Sequence, residues 1–240
     1  NASEYMQLMN IQQLNDFGSE YFSQDEINNA GEGTDWQDLI YRDAPIYNHS
    51  LNISGGNDKT KFAIGGSYFD QQGIIKNSGY NRITFRTSVD HQISKIFNVS
   101  SNTVISRASG IDKDAVGGLR GSNLLQASFC ATPTVGPYDS DGSYHRLNED
   151  YPFSATGFLN PLAYVNERTA KYYINRLMSN LTFTIKPIKD LTIITSGNVQ
   201  NTETRSDGYV TTKYPNSTGS ASISVRNRSE EHTSELQSRS

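Results

Sequence analysis

The side chains that most often do chemistry are scattered through this 240-residue chain. His49, His91 and His145 show no spacing typical of a metal site. The run Asp-Ser-Asp-Gly-Ser at 139–143 resembles the start of a calcium-binding loop, but the later ligands and the terminal Glu are missing, so it predicts a turn. Cys130 is the single cysteine, which excludes an intramolecular disulfide and a cysteine metal cluster.

Catalytic motifs give no better candidate. No glycine-rich phosphate loop follows a predicted strand, and Ser, His and Asp are not assembled as a nucleophile with its base. The net charge is −4, and no basic stripe gathers the 21 Lys and Arg residues, so nothing indicates a nucleic-acid partner. We therefore predict no catalytic residues, no metal, no cofactor and no enzymatic activity.

The dominant pattern is instead the alternation of apolar and polar residues. It recurs in six segments, at 46–54, 60–69, 80–93, 97–106, 176–186 and 191–199. Successive side chains on a strand face opposite sides, so these segments predict an antiparallel sheet with one apolar and one polar face. Each segment is about as long as a tilted strand must be to cross the hydrocarbon core of a membrane.

Charged residues follow the same alternation. Within the six segments, the charged side chains Lys61, Arg82, Arg86, Asp90, Arg176 and Lys186 fall on the polar face. The first five of these are candidates for facing a lumen. Arg107 is the exception if it extends its strand. A soluble, half-buried sheet would also keep charges off its buried face, so charge placement by itself does not identify a membrane protein.

The links between segments separate these two possibilities, because they alternate between short and long. A membrane barrel with tight turns on one side and large loops on the other predicts this alternation. The link at 109–173 is very long, and such links are usually functional or disordered. Its aromatic residues Tyr138, Tyr144, Tyr151 and Phe153 are candidates for contact with a sugar or a partner protein.

Residues 1–45 carry helix signals rather than strand signals. Asn1 with Glu4, Ser23 with Glu26, and Thr34 with Gln37 each resemble a capping box. Short apolar stripes follow the first and third of these pairs. We interpret the stripes as the packing faces of short surface helices, in preference to a binding role.

Several of these runs together resemble the SusC/RagA-like branch of TonB-dependent outer-membrane transporters. The similar residues are the run Gly-Thr-Asp-Trp-Gln-Asp at 33–38, Ala44-Pro45, the stretches 51–60 and 65–78, Arg82 to Gln92, and the turn 186–189. The resemblance covers residues 1–227.

This resemblance implies a partial transmembrane β-barrel, about six strands of a 22-stranded barrel, at 46–227, with residues 1–45 as an extracellular loop containing short helices. It also implies a nutrient importer in the outer membrane of a Gram-negative bacterium, surrounded by lipid and energised through TonB. The partner would be a SusD-like surface lipoprotein acting as a lid, which the loop aromatics could contact, and the substrate an oligosaccharide or peptide. By the same resemblance, the plug domain, the TonB-binding segment and the later strands are absent from the sequence.

A secreted all-β carbohydrate-binding module is the alternative function, and it would differ in being soluble without detergent. The tail at 228–240 departs from the composition of the strands and resembles the translation of a sequencing-library adapter. We predict that this tail is an artefact without a function.

Overall fold

A computed structural model of the protein describes residues 1–113, 123–154, 159–215 and 221–234. Its main element is one antiparallel sheet of seven strands, in which each strand pairs with the next along the chain. The strands are β1 Ile46–Gly56, β2 Thr60–Gln72, β3 Gly79–Gln92, β4 Phe97–Asp112, β5 Arg168–Ile188, β6 Leu191–Val210 and β7 Ser222–Ser234.

Helices occur only outside the strands. They are α1 Ala2–Phe17, α2 Gln24–Asn29, α3 Trp36–Ile40, α4 Leu124–Cys130 and α5 Pro161–Glu167, with a 3₁₀ turn at Leu147–Glu149. Within the described part of the chain, none of these helices has the length and apolar character needed to span a membrane.

The predicted alternation of links is confirmed. Short links connect the strands at one end, at 57–59, 93–96 and 189–190. Long links connect them at the opposite end, at 73–78, 113–167 and 211–221. In the first short link, the side chain of Asn57 accepts hydrogen bonds from the backbone N–H groups of Lys59 and Thr60, both at 2.9 Å. Because antiparallel strands reverse direction at each turn, every long link lies at the same end of the strands as residues 1–45.

The strand register confirms the predicted faces. One row of directly opposed residues runs Leu51, Gly66, Phe85, Ile105 and Leu177 from β1 to β5, so these residues share a face. That apolar face is exposed, with 69% of Leu51 accessible. Most of the polar face is exposed as well. The sheet therefore has no hydrophobic core of its own on either side.

The sheet is larger than the sequence predicted. Six strands were expected and seven are found; β5 begins at Arg168 rather than near residue 176, and β6 continues to Val210 rather than ending near 199. The seventh strand pairs along β6 from Val210 to Asn198. It includes residues 228–234 of the predicted artefact, whereas 235–240 lie outside the described residues.

The hydrophobic core lies in the loops. We call the described residues of 1–45, 73–78, 113–167 and 211–221 the loop layer. Its main cluster joins Ile40 of α3, Leu124 of α4, Val165 of α5 and Tyr214, and a second cluster packs Trp36 against Ala131 and Leu147. The indole N–H of Trp36 donates to the carbonyl oxygen of Thr132 at 2.9 Å, which ties α3 to the distant β4–β5 link.

Two of the three capping boxes that the sequence predicted are found in the structure. The capping boxes of Asn1 with Glu4 and of Ser23 with Glu26 are both formed. The third prediction, Thr34 with Gln37, is wrong because Asp35 is the N-cap of α3 and accepts hydrogen bonds from two backbone N–H groups. A carboxylate is a stronger acceptor than a hydroxyl at the positive end of a helix, and the N–H of Thr34 instead donates to Pro133.

Candidate functional site

The five predicted lumen-facing residues share the polar face of the sheet. Lys61 on β2 lies directly opposite Asp90 on β3, so their opposite charges are neighbours. Arg82 lies with its guanidinium carbon 5.9 Å from the ring centre of Phe69, and all five side chains are exposed. Arg86 and Arg176 project on the same face from β3 and β5. This face could therefore bind a polar or anionic surface placed against it.

The apolar face becomes charged toward the long links, which the sequence analysis noticed only at Arg107. The row that contains Ile83 continues through Arg107 and Asn175 to Glu203. The same row is therefore apolar on β3 and polar or charged on β4 to β6.

The loop layer lies on the polar-face side of the sheet. Arg168 and Val210 are opposed across β5 and β6, and their positions in the alternation place them on the polar face. The guanidinium carbon of Arg168 lies 4.4 Å from the ring centre of Tyr164, and Val210 packs against the main loop cluster. The polar face and the loop layer thus belong to the same side of the molecule.

The four predicted loop aromatics form two pairs. The rings of Tyr138 and Tyr144 lie 5.1 Å apart, and those of Tyr151 and Phe153 are stacked, also at 5.1 Å. The second pair makes edge-to-face contacts with Tyr21 and Phe22, which follow α1. The sequence analysis did not identify Tyr21 or Phe22 as neighbours of this link, because no local pattern connects residues so distant in the chain.

The hydroxyl groups of Tyr144 and Tyr151 are hydrogen-bonded within the loop layer. The hydroxyl of Tyr144 donates to Glu167 at 2.9 Å, and burial is the main reason that the pKa of Tyr144 rises to about 12. The hydroxyls of Tyr151 and Thr134 lie 2.6 Å apart, and burial likewise raises the pKa of Tyr151. Tyr138 is about half exposed, so it is the most accessible of the four.

His145 joins two carboxylates, an arrangement that sequence reasoning missed. Its Nδ1 contacts Asp139 and its Nε2 contacts Asp150. Burial by itself lowers the pKa of His145, but the hydrogen bonds and charges of the two aspartates outweigh it, so the pKa lies above its ordinary value. The carboxylates bind opposite ring nitrogens and do not converge on a point where a metal could sit, and no metal-ligand cluster occurs among the residues that the structure describes.

The Asp139–Ser143 run forms the predicted turn. The N–H of Gly142 donates to the carbonyl of Asp139 at 2.9 Å, and Gly142 has a φ of 82°. The side chains of Asp139 and Asp141 both accept from Ser143. Its carboxylates therefore stabilise the turn itself.

A buried lysine at the end of β4 is a second feature that the sequence analysis missed. Lys113 is 4% exposed, and its ammonium group donates to the carbonyl oxygens of Val165 and Arg168. Burial, together with the charge of Arg168, lowers its pKa to about 8. Lys113 fastens the start of the β4–β5 link to its end.

An open groove of about 910 Å³ runs between α1 and the β4–β5 link. One wall is α1, with Tyr5, Leu8 and Met9, and the other includes Phe129 and Phe153. Glu4, Glu32 and Asp35 also line it. The groove therefore offers apolar and aromatic surface beside negative charge.

Comparison with known proteins places these features in a larger context. No protein-family model matches the chain. It is 39% identical to TonB-dependent receptor P3 of Formosa agariphila over 114 residues, which is 46% of this chain and 11% of the relative. It is 26% identical to TonB-dependent receptor P26 of the same organism over 182 residues, or 76% of this chain and 17% of the relative.

A third relative is the TonB-dependent receptor SusC of Bacteroides thetaiotaomicron, 29% identical over 135 residues, or 53% of this chain and 12% of SusC. The chain thus spans between about a tenth and a sixth of the length of these curated relatives.

Solved structures agree on the fold. The structure of the RagAB peptide transporter matches 90% of this chain and 25% of the solved chain, with a TM-score of 0.62 and 21% identity. The RagAB peptide importer in its closed-closed state matches 78% of this chain and 21% of the solved chain, with a TM-score of 0.60 and 21% identity. The antiparallel sheet with short helices in its long links is therefore part of a barrel of this kind, and in sequence and fold this chain is similar to a segment of the SusC/RagA-like TonB-dependent transporters, as its residues predicted.

Proposed function

We propose that this chain is part of an outer-membrane importer of glycans or peptides that is energised through TonB. The observation that carries the proposal is a sheet whose apolar face is exposed, with half or more of Leu51, Ile83 and Ile105 accessible. Water disfavours such a face, whereas lipid accepts it without cost, provided that the sheet closes into a barrel. The secreted binding-module alternative would need an apolar core against the sheet.

The loop layer would be extracellular, and the polar face would line the lumen or contact a plug. Lys61, Arg82, Arg86, Asp90 and Arg176 would then meet either the substrate path or the plug surface. Tyr138 is the loop aromatic best exposed for contact with a ligand, while Tyr144, Tyr151 and Phe153 mainly hold the loop layer together. A SusD-like lipoprotein would cover this layer as a lid.

The experiment is deletion of the full-length parent gene, followed by growth on a panel of oligosaccharides and peptides as single carbon sources. We expect growth on one substrate class to be lost and to be restored by the parent gene, but not by a version without its TonB-binding segment. The parent should also fractionate with the outer membrane and run as a heat-modifiable barrel. A parent protein that is soluble and monodisperse without detergent would refute the proposal and favour the secreted module.

A further inference from the structure

The apolar face of the sheet carries its basic residues at one end. On strands β1 to β6, the Lys and Arg residues of this face are Arg107, Lys171 and Arg205, and all three lie in the halves of β4 to β6 that are nearest the long links. At the short-link end, the same face carries aromatic rings, and those of Phe97 and Phe183 are stacked 5.9 Å apart. Positive charge on this face is therefore concentrated in one place.

Two of these basic residues line one open groove of about 730 Å³. Arg107 and Arg205 lie on either side of β5, roughly 10 Å apart across the strands. Between them, Asn175 is directly opposite Arg107, and Tyr173 is directly opposite Arg205. We call this the outer groove, and the lining residues that concern us are Arg107, Tyr173, Asn175, Glu203, Arg205 and Asp207.

The two guanidinium groups of the outer groove are available to bind an anion. Among the described residues, no hydrogen bond or ion pair engages the side chain of Arg107. Arg205 donates from Nε to both carboxylate oxygens of Asp207, at 2.8 and 3.1 Å, and its terminal nitrogens have no partner in the described part of the chain. Arginine binds phosphate through pairs of N–H donors, so two guanidinium groups on opposite walls suit a phosphate held between them.

The outer groove also contains groups that bind hydroxyls. The exposed carboxylate of Glu203 accepts hydrogen bonds, and the amide of Asn175 both donates and accepts them. The half-buried ring of Tyr173 adds an apolar surface with a polar tip. Glu203 would repel a free phosphate ion, whereas it would accept hydrogen bonds from the hydroxyl groups of a sugar. This combination of side chains therefore favours a sugar that carries phosphate.

A second groove, of about 600 Å³, continues from the outer groove toward the middle of the sheet. The two grooves share Arg107, Asn175 and Glu203, and the lining of the second includes Ile105 and Leu177. Ile105 and Leu177 belong to the exposed apolar row that starts at β1. A charged groove that continues into an apolar one suits a lipid, because the acyl chains of a lipid extend directly from its headgroup.

We propose that the outer groove binds the headgroup of an anionic glycolipid, in which a sugar carries phosphate, in the leaflet nearest the long links. Arg107 and Arg205 would bind the phosphate, Glu203 and Asn175 would bind sugar hydroxyls, and the acyl chains would lie on the apolar row. This proposal rests on the proposed function, because the apolar face must contact lipid. The ligand would be bound outside the barrel, away from the path of the imported substrate.

The test uses the full-length parent, purified in detergent and titrated with lipid while native mass spectrometry counts the bound molecules. The probe is a diglucosamine lipid with two phosphate groups, and its dephosphorylated form is the comparison. We expect the wild type to bind the phosphorylated form roughly tenfold more tightly or better, because hydrogen bonds to charged groups are strong. Arg107→Gln/Arg205→Gln should lose that preference.

Two further variants separate the groove from net charge. Lys95→Gln/Lys189→Gln is the matched control, because it removes the same charge from exposed positions in the short links. It should keep the wild-type preference. Arg107→Lys/Arg205→Lys keeps the charge but loses the paired N–H donors, so we expect it to bind more weakly than the wild type and more tightly than the Gln variant. All variants should yield the same amount of heat-modifiable barrel, which excludes a folding defect.

Three results would overturn the inference. The wild-type preference in Arg107→Gln/Arg205→Gln, or its loss in the control variant, would show that the outer groove does not determine binding. Equal binding of both lipid forms by the wild type would remove the phosphate from the site. Displacement of the lipid by excess inorganic phosphate would identify a site for a free anion. Substrate-dependent growth would still report import in each case, whereas a parent that is soluble without detergent would refute the proposed function and the lipid site together.

Discussion

Leu51→Arg should impair assembly of the barrel in the full-length parent. Leu51 lies on the apolar face of β1, directly opposite Gly66, and it is 69% exposed. Along β1, Leu51 lies four residues after Tyr47 and four residues before Gly55. Gly55 is directly opposite Phe62 of β2. Aromatic side chains commonly mark the two edges of the lipid-facing band of a barrel.

The magnitude follows from this position. Four residues of a strand tilted by about 45° rise roughly 9 Å, so both aromatic positions lie within the half-height of an apolar band about 25 Å tall. In the proposed barrel, Leu51 would therefore lie near the middle of the bilayer. A lipid-facing Arg at that depth costs about 2–4 kcal/mol, which lowers the ratio of folded to unfolded protein by roughly 30-fold to 700-fold.

Asn52→Arg is the control, one residue farther along the same strand. Asn52 belongs to the polar face, opposite Gly65, and its side-chain oxygen occupies the space that a Cβ on Gly65 would fill. The glycine leaves room for a longer side chain, so we expect this variant to assemble normally. The assay measures the yield of heat-modifiable protein in the outer membrane. Urea unfolding in lipid vesicles measures the free energy of unfolding of each variant. Equal yields and equal unfolding midpoints for the two variants would show that the faces have been assigned wrongly.

Four further predictions follow from the loop layer and from the ends of the sheet. Replacing residues 123–154 with a short Gly-Ser linker should reduce uptake or lid binding while the barrel still assembles; unchanged uptake and lid binding would mean that this link is dispensable. Because the pKa of His145 is raised in the folded protein, its contacts should stabilise the β4–β5 link fully below about pH 6.5 and lose that contribution as the pH rises through the raised value. Hydrogen exchange of this link should therefore accelerate from pH 6 to pH 8.5 beyond the intrinsic rate, and His145→Gln should remove that difference; a variant with the wild-type difference would contradict this. The chain expressed alone should form inclusion bodies and give no conductance in bilayers, since seven strands leave two unpaired edges; a monodisperse, detergent-free monomer that unfolds cooperatively would contradict it. Sequencing the parent gene from genomic DNA should show different residues from 228 onward, and an identical continuation would assign β7 to the natural protein.

The sequence determined the parts of this protein that depend on local pattern. Alternation with a period of two assigned Leu51, Phe85 and Leu177 to one face before any register was known, because neighbouring side chains on a strand must diverge. Tight turns such as 57–59 and 189–190 were visible from their length and composition. These features need no information from distant residues.

The far ends of the strands were decided by tertiary structure. At the ends nearest the long links, β4 to β6 carry polar and charged residues such as Arg107, Glu203 and Arg205. Apolar and polar residues therefore no longer alternate in these parts of the sequence. These segments remain strands because each pairs with an extended neighbour: Arg107 lies opposite Asn175, and Asn175 opposite Glu203. Backbone hydrogen bonding between strands does not depend on the side chains that alternation detects.

The loop layer depended most on tertiary structure. Trp36 and Thr132 are joined by a hydrogen bond across 96 residues, and Tyr21 packs on Tyr151 and Phe153. The apolar stripe after the third predicted cap, which contains Trp36 and Ile40, indicated a packing face on this helix but not which residues would cover it. Helical periodicity indicates that a helix has an apolar side, whereas the surface that covers a helix is set by the folded chain. In α1 the folded chain buries Ala2 and Asn10 and leaves Leu8, Ile11 and Leu14 exposed.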